Sequence, residues 1–279
     1  MQEVHFMLPT IRIGNLDITR LIVGGNPFSG NSHVNGDLND QMIDYFTTAK
    51  LKETLFHCEE CGINTMQLRG DAYMWRIVRE YRNEGGKMHW IAQTASEYGS
   101  YEGNVNTLAN NGADAIYHHG TKTDSMFKDG EIDILLDRLK IIRETGLPVG
   151  LATHMPEVIY YAEEHNWDVD FYMGCVYNLS RQNRVSSAIT GIANSGEAFY
   201  EEDIPLMYEA IRAAKKPCLA FKILGATRRC QSQETVQAAF DEAFREIKPT
   251  DGVIVGVYPK EIDQIALDAR YTREAIAKI

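Results

Sequence analysis

The β/α/β pattern of this sequence is clearest in three successive pieces, ADAIYHH (113–119), EIDILLDRLKIIRET (131–145) and PVGLATH (148–154). The first and last are short apolar runs, which are typical of parallel strands buried on both faces. The middle piece is amphipathic and stops at Gly146 with Pro148 just beyond, as helix C-termini commonly do. Together they predict a strand, a helix and a second, parallel strand.

The same alternation continues in both directions along the chain. The other apolar runs are LIVGGNPF (21–28), INTMQL (63–68), MHWIAQT (88–94), VDFYMGC (169–175), PCLAFKI (217–223) and GVIVGVY (252–258). Strands alternating with helices eight times predict an α/β protein in which residues 1–279 form a single (β/α)8 TIM-barrel domain. A doubly wound sheet is the alternative, but it needs a crossover that reverses the strand order, and no feature of the sequence marks one.

Two segments depart from a minimal barrel. Residues 11–20, IRIGNLDITR, place Gly14 and Asn15 between β-prone flanks and predict an N-terminal β-hairpin before the first barrel strand. Residues 178–200 form a long polar loop after the sixth barrel strand. Because the active sites of TIM barrels lie at the carboxyl ends of the strands, we expect this loop to overhang the active-site face.

The composition limits the kind of partner. The chain has 28 Lys and Arg against 39 Asp and Glu, a net charge of −11, which argues against binding to a nucleic-acid backbone. No apolar run has the length of a membrane span, and the first residues lack the layout of a signal peptide. We therefore expect a soluble, cytoplasmic protein that acts on a small molecule rather than on nucleic acid or membrane, with homo-oligomer formation left open. The five cysteines, odd in number, predict no disulfide framework.

The side chains that follow the strands of a TIM barrel converge on one mouth, so those positions hold the candidate site. They are mostly polar, which favours a small hydroxylated or carbonyl-bearing substrate over a lipid. The candidate substrate-binding residues are Asn26, Gln67, Arg69, Asp71, Gln93, Asn178 and Arg181. Arg181 has the fork geometry that grips an anion, although a solvated arginine with no role is the alternative.

Two histidines end neighbouring barrel strands. His119 and His154 follow the fourth and fifth strands, and with Glu97 they are candidates for an open divalent metal site, holding zinc, manganese, iron or nickel. The alternative is that each imidazole binds a neighbouring backbone group and no metal is present. His118 is left out, because alternation along a strand points it toward the surrounding helices.

Lys222 is predicted to lie within the seventh strand, in an apolar run, where lysine is seldom buried unless it is paired. A desolvated lysine acts as a base, forms a Schiff base or holds a carboxylate. A structural ion pair with Glu97 or Asp71 is the alternative.

Four segments give the chain a resemblance to the aldo/keto reductase superfamily. They are RIGNLDITRLIVGGNPFSG (12–30), CGINTMQLRGDAYMW (61–75), DAIYHHG (114–120) and VIVGVYPKEIDQIALDA (253–269). They resemble, in order, that family's N-terminal hairpin and first strand, its second strand, its fourth strand and its final strand and helix. The resemblance implies the same barrel and NADP(H)-dependent reduction of a carbonyl group.

The family's catalytic set carries over only in part. Its histidine corresponds to His119 and its tyrosine to Tyr73, while Gln67 stands at the aspartate position and Gln93 or Thr94 at the lysine position. Two neutral residues cannot lower the pKa of a tyrosine from about 10 toward neutrality. A reductase of this kind would use a rearranged set of Tyr73, His119 and Lys222.

The leading hypothesis from the sequence is an enzyme that acts on a small sugar-like or keto-acid-like substrate by acid/base chemistry, of the lyase or isomerase type, with or without a divalent metal. His119 or Lys222 would be the acid/base, Glu97 a metal ligand or base, and Arg69 with Arg181 would position the substrate. The alternatives are the NADP(H)-dependent reductase and a catalytically silent barrel used for binding.

Overall fold

A computed structural model describes residues 7–182, 187–190 and 197–279 of the chain. The described residues form ten strands, β1 Thr10–Ile13, β2 Leu16–Thr19, β3 Leu21–Gly24, β4 Thr65–Arg69, β5 His89–Gln93, β6 Ala115–His118, β7 Val149–Thr153, β8 Phe171–Cys175, β9 Cys218–Phe221 and β10 Gly252–Gly256. The last eight are parallel and close into a barrel in the order β10-β3-β4-β5-β6-β7-β8-β9. The predicted TIM barrel is confirmed.

Helices cover the outside of the barrel. They are α1 Gly36–Tyr45, α2 Thr48–Glu60, α3 Ala72–Asn83, α4 Tyr101–Asn110, α5 Gly120–Lys128, α6 Ile132–Arg143, α7 Pro156–Glu164, α8 Ser187–Thr190, α9 Asp203–Ala213, α10 Gln233–Glu246 and α11 Gln264–Ile276. None of these described helices is both long and apolar enough to cross a membrane. All five cysteines lie in the described ranges, and each is a free thiol.

The predicted hairpin is confirmed and closes the amino-terminal end of the barrel. β1 and β2 pair antiparallel from Thr10 opposite Thr19 to Ile13 opposite Leu16. The hairpin isoleucines pack into one cluster with side chains from the barrel interior; the cluster includes Ile11, Ile13, Ile18, Ile22, Ile91, Ala115 and Phe171. The turn needs glycine at position 14, where φ is +54° and an added Cβ would lie 2.7 Å from Cγ of Pro148.

Four side chains tie neighbouring strands together at this same end. Each directly precedes one of the strands β4, β6, β8 and β10, and accepts a hydrogen bond from a backbone N–H within two residues of the start of the strand before it in the chain. The pairs are Asn64 with Thr19, Asp114 with Trp90, Asp170 with Val149 and Asp251 with Cys218, at 2.7–2.8 Å. These hydrogen bonds join the barrel strands in four pairs. The four side chains therefore stabilise the fold rather than contribute to the candidate site.

The predicted loop 178–200 follows β8 as expected. Its residues 183–186 and 191–196 lie outside the described ranges, and the described residues between them form the short helix α8. The second end, residues 197–200, returns to the carboxyl-terminal mouth of the barrel, where Phe199 packs on Tyr177 with ring centroids 5.0 Å apart.

Candidate active site

The centre of the candidate site is a buried histidine–aspartate pair. His154 directly follows β7, and its Nδ1 lies 2.7 Å from Oδ2 of Asp124 in α5. Only 5% of His154 and 1% of Asp124 are exposed. Because an ionised carboxylate can only accept, Nδ1 carries the hydrogen and donates it, which makes Nε2 the ring nitrogen that accepts.

Asp124 is held as an ionised carboxylate. Burial alone would raise its pKa, but the hydrogen bond and the charge of His154 bring that pKa below the ordinary value of 3.8. The hydroxyls of Thr153 and Ser180 donate to the same carboxylate and lower its pKa further. Asp124 therefore fixes the orientation and tautomer of His154 and stabilises its protonated form, as the aspartate of a catalytic triad does for its histidine.

His119 lies close to this pair. It immediately precedes α5, its Nδ1 is 2.8 Å from Oγ of Ser96, and its backbone N–H donates to Oγ1 of Thr94 at 3.1 Å. A Cβ added at the next residue, Gly120, would lie 3.3 Å from Cε1 of His154. The structure thus brings His119 and His154 to the same side of the mouth.

His118 faces away from this group, and the prediction that excluded it is confirmed. Its Nδ1 lies 2.8 Å from Oγ1 of Thr123, and its Nε2 lies 3.4 Å from Nη1 of Arg138 in the helical layer. Burial, followed by the charge of Arg138, lowers the pKa of His118 well below its ordinary value. It is a neutral packing histidine.

The predicted metal ligands are not gathered into one set. Glu97 pairs with Arg69, whereas the Nδ1 atoms of His119 and His154 bind Ser96 and Asp124. Within the described ranges, no three His, Cys, Asp or Glu side chains lie close enough together to hold a metal ion. The residues present do not fit a metal centre, and metal binding stays a prediction from the sequence.

Arg69, predicted to position the substrate, has two acidic neighbours. Its Nε lies 2.9 Å from Oδ2 of Asp71, and its guanidinium also pairs with Glu97. Asp71 in addition caps α3 by accepting from the backbone N–H of Met74 at 2.9 Å. One arginine and two carboxylates give this cluster a net negative charge, so the positive charge of Arg69 is already compensated before any ligand binds.

Gln67 and Gln93 meet inside the barrel on a tyrosine that the sequence analysis did not single out. Nε2 of Gln67 donates to the hydroxyl of Tyr117 at 2.7 Å, and that hydroxyl donates to Oε1 of Gln93 at 2.9 Å. Burial raises the pKa of Tyr117 well above its ordinary value, so the hydroxyl keeps its proton. The positions of the reductase aspartate and lysine thus carry a neutral network.

Tyr73, the predicted catalytic tyrosine, lies in the outer layer. It is the second residue of α3, 48% exposed, and its hydroxyl is 3.5 Å from Oγ1 of Thr48 at the start of α2. Helix α3 begins at Ala72 and turns this side chain toward solvent. The structure does not place Tyr73 in the barrel interior with Gln67 and Tyr117.

Lys222 lies one residue beyond the end of β9 in a strained backbone conformation. Its φ of +63° is in the left-handed region, which costs a non-glycine residue about 1–3 kcal/mol and is concentrated at functional sites. Its Nζ is 6.0 Å from the ring centroid of Phe199, and the guanidinium of Arg228 stacks on the same ring at 3.7 Å. Lys222 also directly follows Phe221, whose ring packs edge-on against His154 at 5.5 Å.

Asn26 belongs to a contact between the first barrel loop and residues 197–200. Its Nδ2 is 3.2 Å from Nε2 of His33, and Nδ1 of His33 is 2.7 Å from Oε2 of Glu197. His33 has a φ of +59°, a second strained residue at this mouth. Asn26 therefore helps to hold the returning loop.

The remaining predicted binding residues are engaged within the protein. Arg181 makes a two-pronged ion pair with Asp203 at the start of α9, with one N–O distance of 2.6 Å, and lies over the ring of Tyr200. Asn178 accepts from the backbone N–H of Ser180 at 3.1 Å. In this conformation both residues shape the loop after β8.

Sequence reasoning missed Asp124, Ser96 and Tyr117. Asp124 is polar at a buried helical position, but it is 30 residues from His154, and no spacing rule joins the two. Tyr117 is part of an apolar strand run and resembles an ordinary core residue. The one available signal was alternation, since Tyr117 shares its strand face with His119.

Comparison with known proteins yields structural relatives only. No protein-family model and no curated protein sequence matches the chain. A glycerol dehydrogenase from Gluconobacter oxydans is similar with a TM-score of 0.54 and 12% identity, over 97% of this chain and 94% of its own. A truncated 3-deoxy-D-arabino-heptulosonate 7-phosphate synthase from Thermotoga maritima gives 0.53 and 16%, over 99% and 92%. A phospho-2-dehydro-3-deoxyheptonate aldolase from Thermotoga maritima gives 0.56 and 16%, over 99% and 75%.

Identities this low show the fold alone. The relatives include an oxidoreductase and an aldolase, so the likeness extends to the barrel rather than to one reaction. The resemblance to aldo/keto reductases stays a prediction from sequence segments. The closed eight-stranded barrel and these relatives show that the chain has the TIM-barrel fold.

Proposed function

We propose that this protein is an enzyme that moves a proton to or from a carbon atom next to the carbonyl group of a small polar substrate, with His154 as the acid/base. The reaction class is a lyase or isomerase. The observation that carries the proposal is the buried Asp124–His154 pair at the carboxyl-terminal mouth, 2.7 Å apart.

The pair has the properties that proton transfer needs. Asp124 holds Nδ1–H of His154, so Nε2 takes the proton from carbon and returns a proton to the product. The imidazolium formed in between is stabilised by the adjacent carboxylate, whose own pKa is low. The enolate that the substrate becomes needs positive charge or hydrogen-bond donors nearby. Lys222 and His119, on either side of His154 along the barrel wall, are the groups we assign to that role.

The site also favours this chemistry over nicotinamide-dependent reduction. The tyrosine mechanism of the aldo/keto reductases requires an ionisable partner beside the phenol, and Gln67 and Gln93 supply none. Tyr73 lies in the exposed outer layer. We therefore keep the reductase as the outcome that the test below is designed to detect.

The test follows proton transfer directly. Wild-type protein is incubated in D₂O with short-chain hydroxy-ketones, hydroxy-aldehydes and 2-keto acids, and proton NMR follows deuterium entering the carbon next to the carbonyl. We expect accelerated exchange for at least one compound. His154→Gln should slow that exchange by about 10²–10⁴-fold, the usual contribution of a general acid/base.

His165→Gln is the matched control, because His165 is an exposed histidine that binds the carbonyl of Tyr161 on α7. It should exchange like wild type. Equal rates for His154→Gln and wild type would refute the proposal. Oxidation of NADPH by any compound in the same panel, with no exchange, would replace it by the reductase.

A further inference from the structure

The floor of the mouth contains a hydrogen-bonded row of three neutral side chains on adjacent strands. Gln67 is on β4, Gln93 on β5 and Tyr117 on β6, and the tyrosine hydroxyl lies between the two amides at 2.7 and 2.9 Å. Tyr117 and His119 are two residues apart and share one face of the chain, so the row lies one step deeper in the barrel than His119.

The row presents one donor and one acceptor whichever way the amides are turned. The tyrosine hydroxyl donates once and accepts from the other side, so one glutamine must offer it oxygen and the other nitrogen. As assigned, the groups left over are Oε1 of Gln67 and Nε2 of Gln93. Flipping both amides exchanges the two labels and leaves one C=O and one NH₂ pointing elsewhere.

These two leftover groups are open to the mouth. Gln67 and Gln93 are only partly buried although their side chains point into the barrel interior. Across the described ranges, neither leftover group has a protein partner, and neither is among the buried polar atoms that lack one. Both amides are therefore available to a ligand or to water, while their other ends are fixed by Tyr117.

The surrounding charge selects against an anion at this point. Arg69, whose charge acts on Tyr117, already pairs with Asp71 and Glu97. A carboxylate has only acceptors, so it would satisfy the NH₂ group but lie against the exposed C=O of the other glutamine. A hydroxyl next to a carbonyl matches both groups, because its O–H donates and its C=O accepts.

We infer that Gln67, Tyr117 and Gln93 form a specificity subsite for an uncharged hydroxy-carbonyl end of the substrate. This inference rests on the proposed function for the identity of the site, and it names the substrate class as neutral hydroxy-ketones or hydroxy-aldehydes rather than keto acids. Tyr117 is a positioning residue: it does not contact the ligand, but it fixes which amide group each glutamine presents.

The experiment uses two probes of equal carbon number, hydroxyacetone and the keto acid pyruvate, which has acceptors but no hydroxyl donor. ¹⁵N-labelled protein is titrated with each probe while the side-chain NH₂ signals are recorded. The signals of Gln67 and Gln93 are assigned by their loss in Gln67→Leu and Gln93→Leu. We expect hydroxyacetone to shift both signals and pyruvate to bind at least tenfold more weakly. Each leucine variant and Tyr117→Phe should weaken hydroxyacetone binding about tenfold, the value of one or two neutral hydrogen bonds.

Gln233→Leu is the matched control, because Gln233 also accepts from a buried tyrosine, Tyr271, but does so between α10 and α11. It should bind hydroxyacetone like wild type. Pyruvate binding as tightly as hydroxyacetone, or hydroxyacetone leaving the Gln67 and Gln93 signals unmoved, would overturn the subsite. Binding is measured without turnover. A selective subsite with no deuterium exchange would therefore remove the acid/base function alone, and exchange with no selectivity would remove the subsite alone.

Discussion

The two ends of the barrel use carboxylates in opposite ways. At the amino-terminal end, Asp170 accepts from the backbone N–H of Val149 and from the guanidinium of Arg143, both at 2.7 Å. At the carboxyl-terminal end, Asp124 binds His154, a side chain that itself can gain and lose a proton. The partners of Asp170 keep their protonation state, whereas the carboxylate of Asp124 stabilises a side chain that can gain and lose a proton.

This difference separates stability from function within one fold. The amino-terminal end is closed by an apolar hairpin, and its polar groups connect strand to strand. At the mouth, Lys222 and His33 have left-handed backbone conformations, and residues 197–200 return to it. The mouth also contains the uncharged row of Gln67, Tyr117 and Gln93. Because the contacts that hold the barrel lie at the amino-terminal end, residues at the mouth can differ between TIM barrels without loss of the fold, which allows the fold to carry many reactions.

The largest expected effect tests whether the closed end carries the stability. Phe171 is fully buried in the hairpin cluster, with its ring packed over Gly150, where an added Cβ would lie only 2.3 Å away. Phe171→Ala should lower the free energy of unfolding by about 3–5 kcal/mol, measured by urea denaturation. The variant should still bind hydroxyacetone at temperatures where it is folded. A loss below about 1 kcal/mol would show that this end is not tightly packed.

The next effect tests the carboxylate of the mouth. Asp124→Asn should lower the free energy of unfolding by about 2–3 kcal/mol at neutral pH, because the hydrogen-bond network loses its charged acceptor and one oxygen is replaced by an NH₂ group that cannot accept. The pKa of Asp124 is lowered on folding, so its contribution is complete above the ordinary value of 3.8. It declines as the pH falls below 3.8 and is lost below the folded pKa.

Urea denaturation of both proteins between neutral and acidic pH checks this sign. The difference in unfolding free energy should shrink as the pH falls below about 3.8. A difference that does not shrink below that pH would mean that Asp124 is protonated in the folded protein, and His154 would then lack its negative partner.

The fold and the site were predictable to different degrees for a physical reason. Buried parallel strands appear in the sequence as short apolar runs, so the sequence predicts all eight barrel strands. The predicted first barrel strand, LIVGGNPF, is longer than the observed one. The strand β3 ends at Gly24, and Pro27, which has no N–H to donate, begins a short 3₁₀ helix. Alternation likewise separated His118 from His119 correctly.

The site depends on contacts that no local pattern encodes. Asp124 reaches His154 across 30 residues, and Glu197 reaches His33 across 164. The family resemblance predicts a catalytic role for Tyr73, but helix α3 carries it to the surface. Residue type at a strand end thus identified candidates, but the partners decided their roles.

A smaller effect compares two carboxylates on one arginine at the amino-terminal end. Arg143 pairs with Asp170, which also holds a strand N–H, and with Asp168, which is 78% exposed. Asp170→Ala should lower the free energy of unfolding by about 1.5–2 kcal/mol, whereas Asp168→Ala should change it by less than about 1 kcal/mol. Neither variant should alter hydroxyacetone binding. Equal losses would mean that the ion pair, rather than the strand N–H, carries the effect.

The smallest stability effect is the most direct test of the mouth. Gly120 and Gly36 are each the first residue of a helix, but an added Cβ meets nothing within 4 Å at Gly36 and lies 3.3 Å from Cε1 of His154 at Gly120. Gly36→Ala should raise the free energy of unfolding by about 0.4–1 kcal/mol, because alanine restricts the unfolded chain. Gly120→Ala should raise the free energy of unfolding by less, because the His154 ring must move by a few tenths of an ångström to make room for the added Cβ. In Gly120→Ala the imidazole NMR signals of His154 should shift and deuterium exchange into the substrate should slow. Gly36→Ala should change neither the signals nor the exchange rate. If both variants exchange at the wild-type rate, the position of His154 tolerates this displacement, and the acid/base proposal loses its geometric basis.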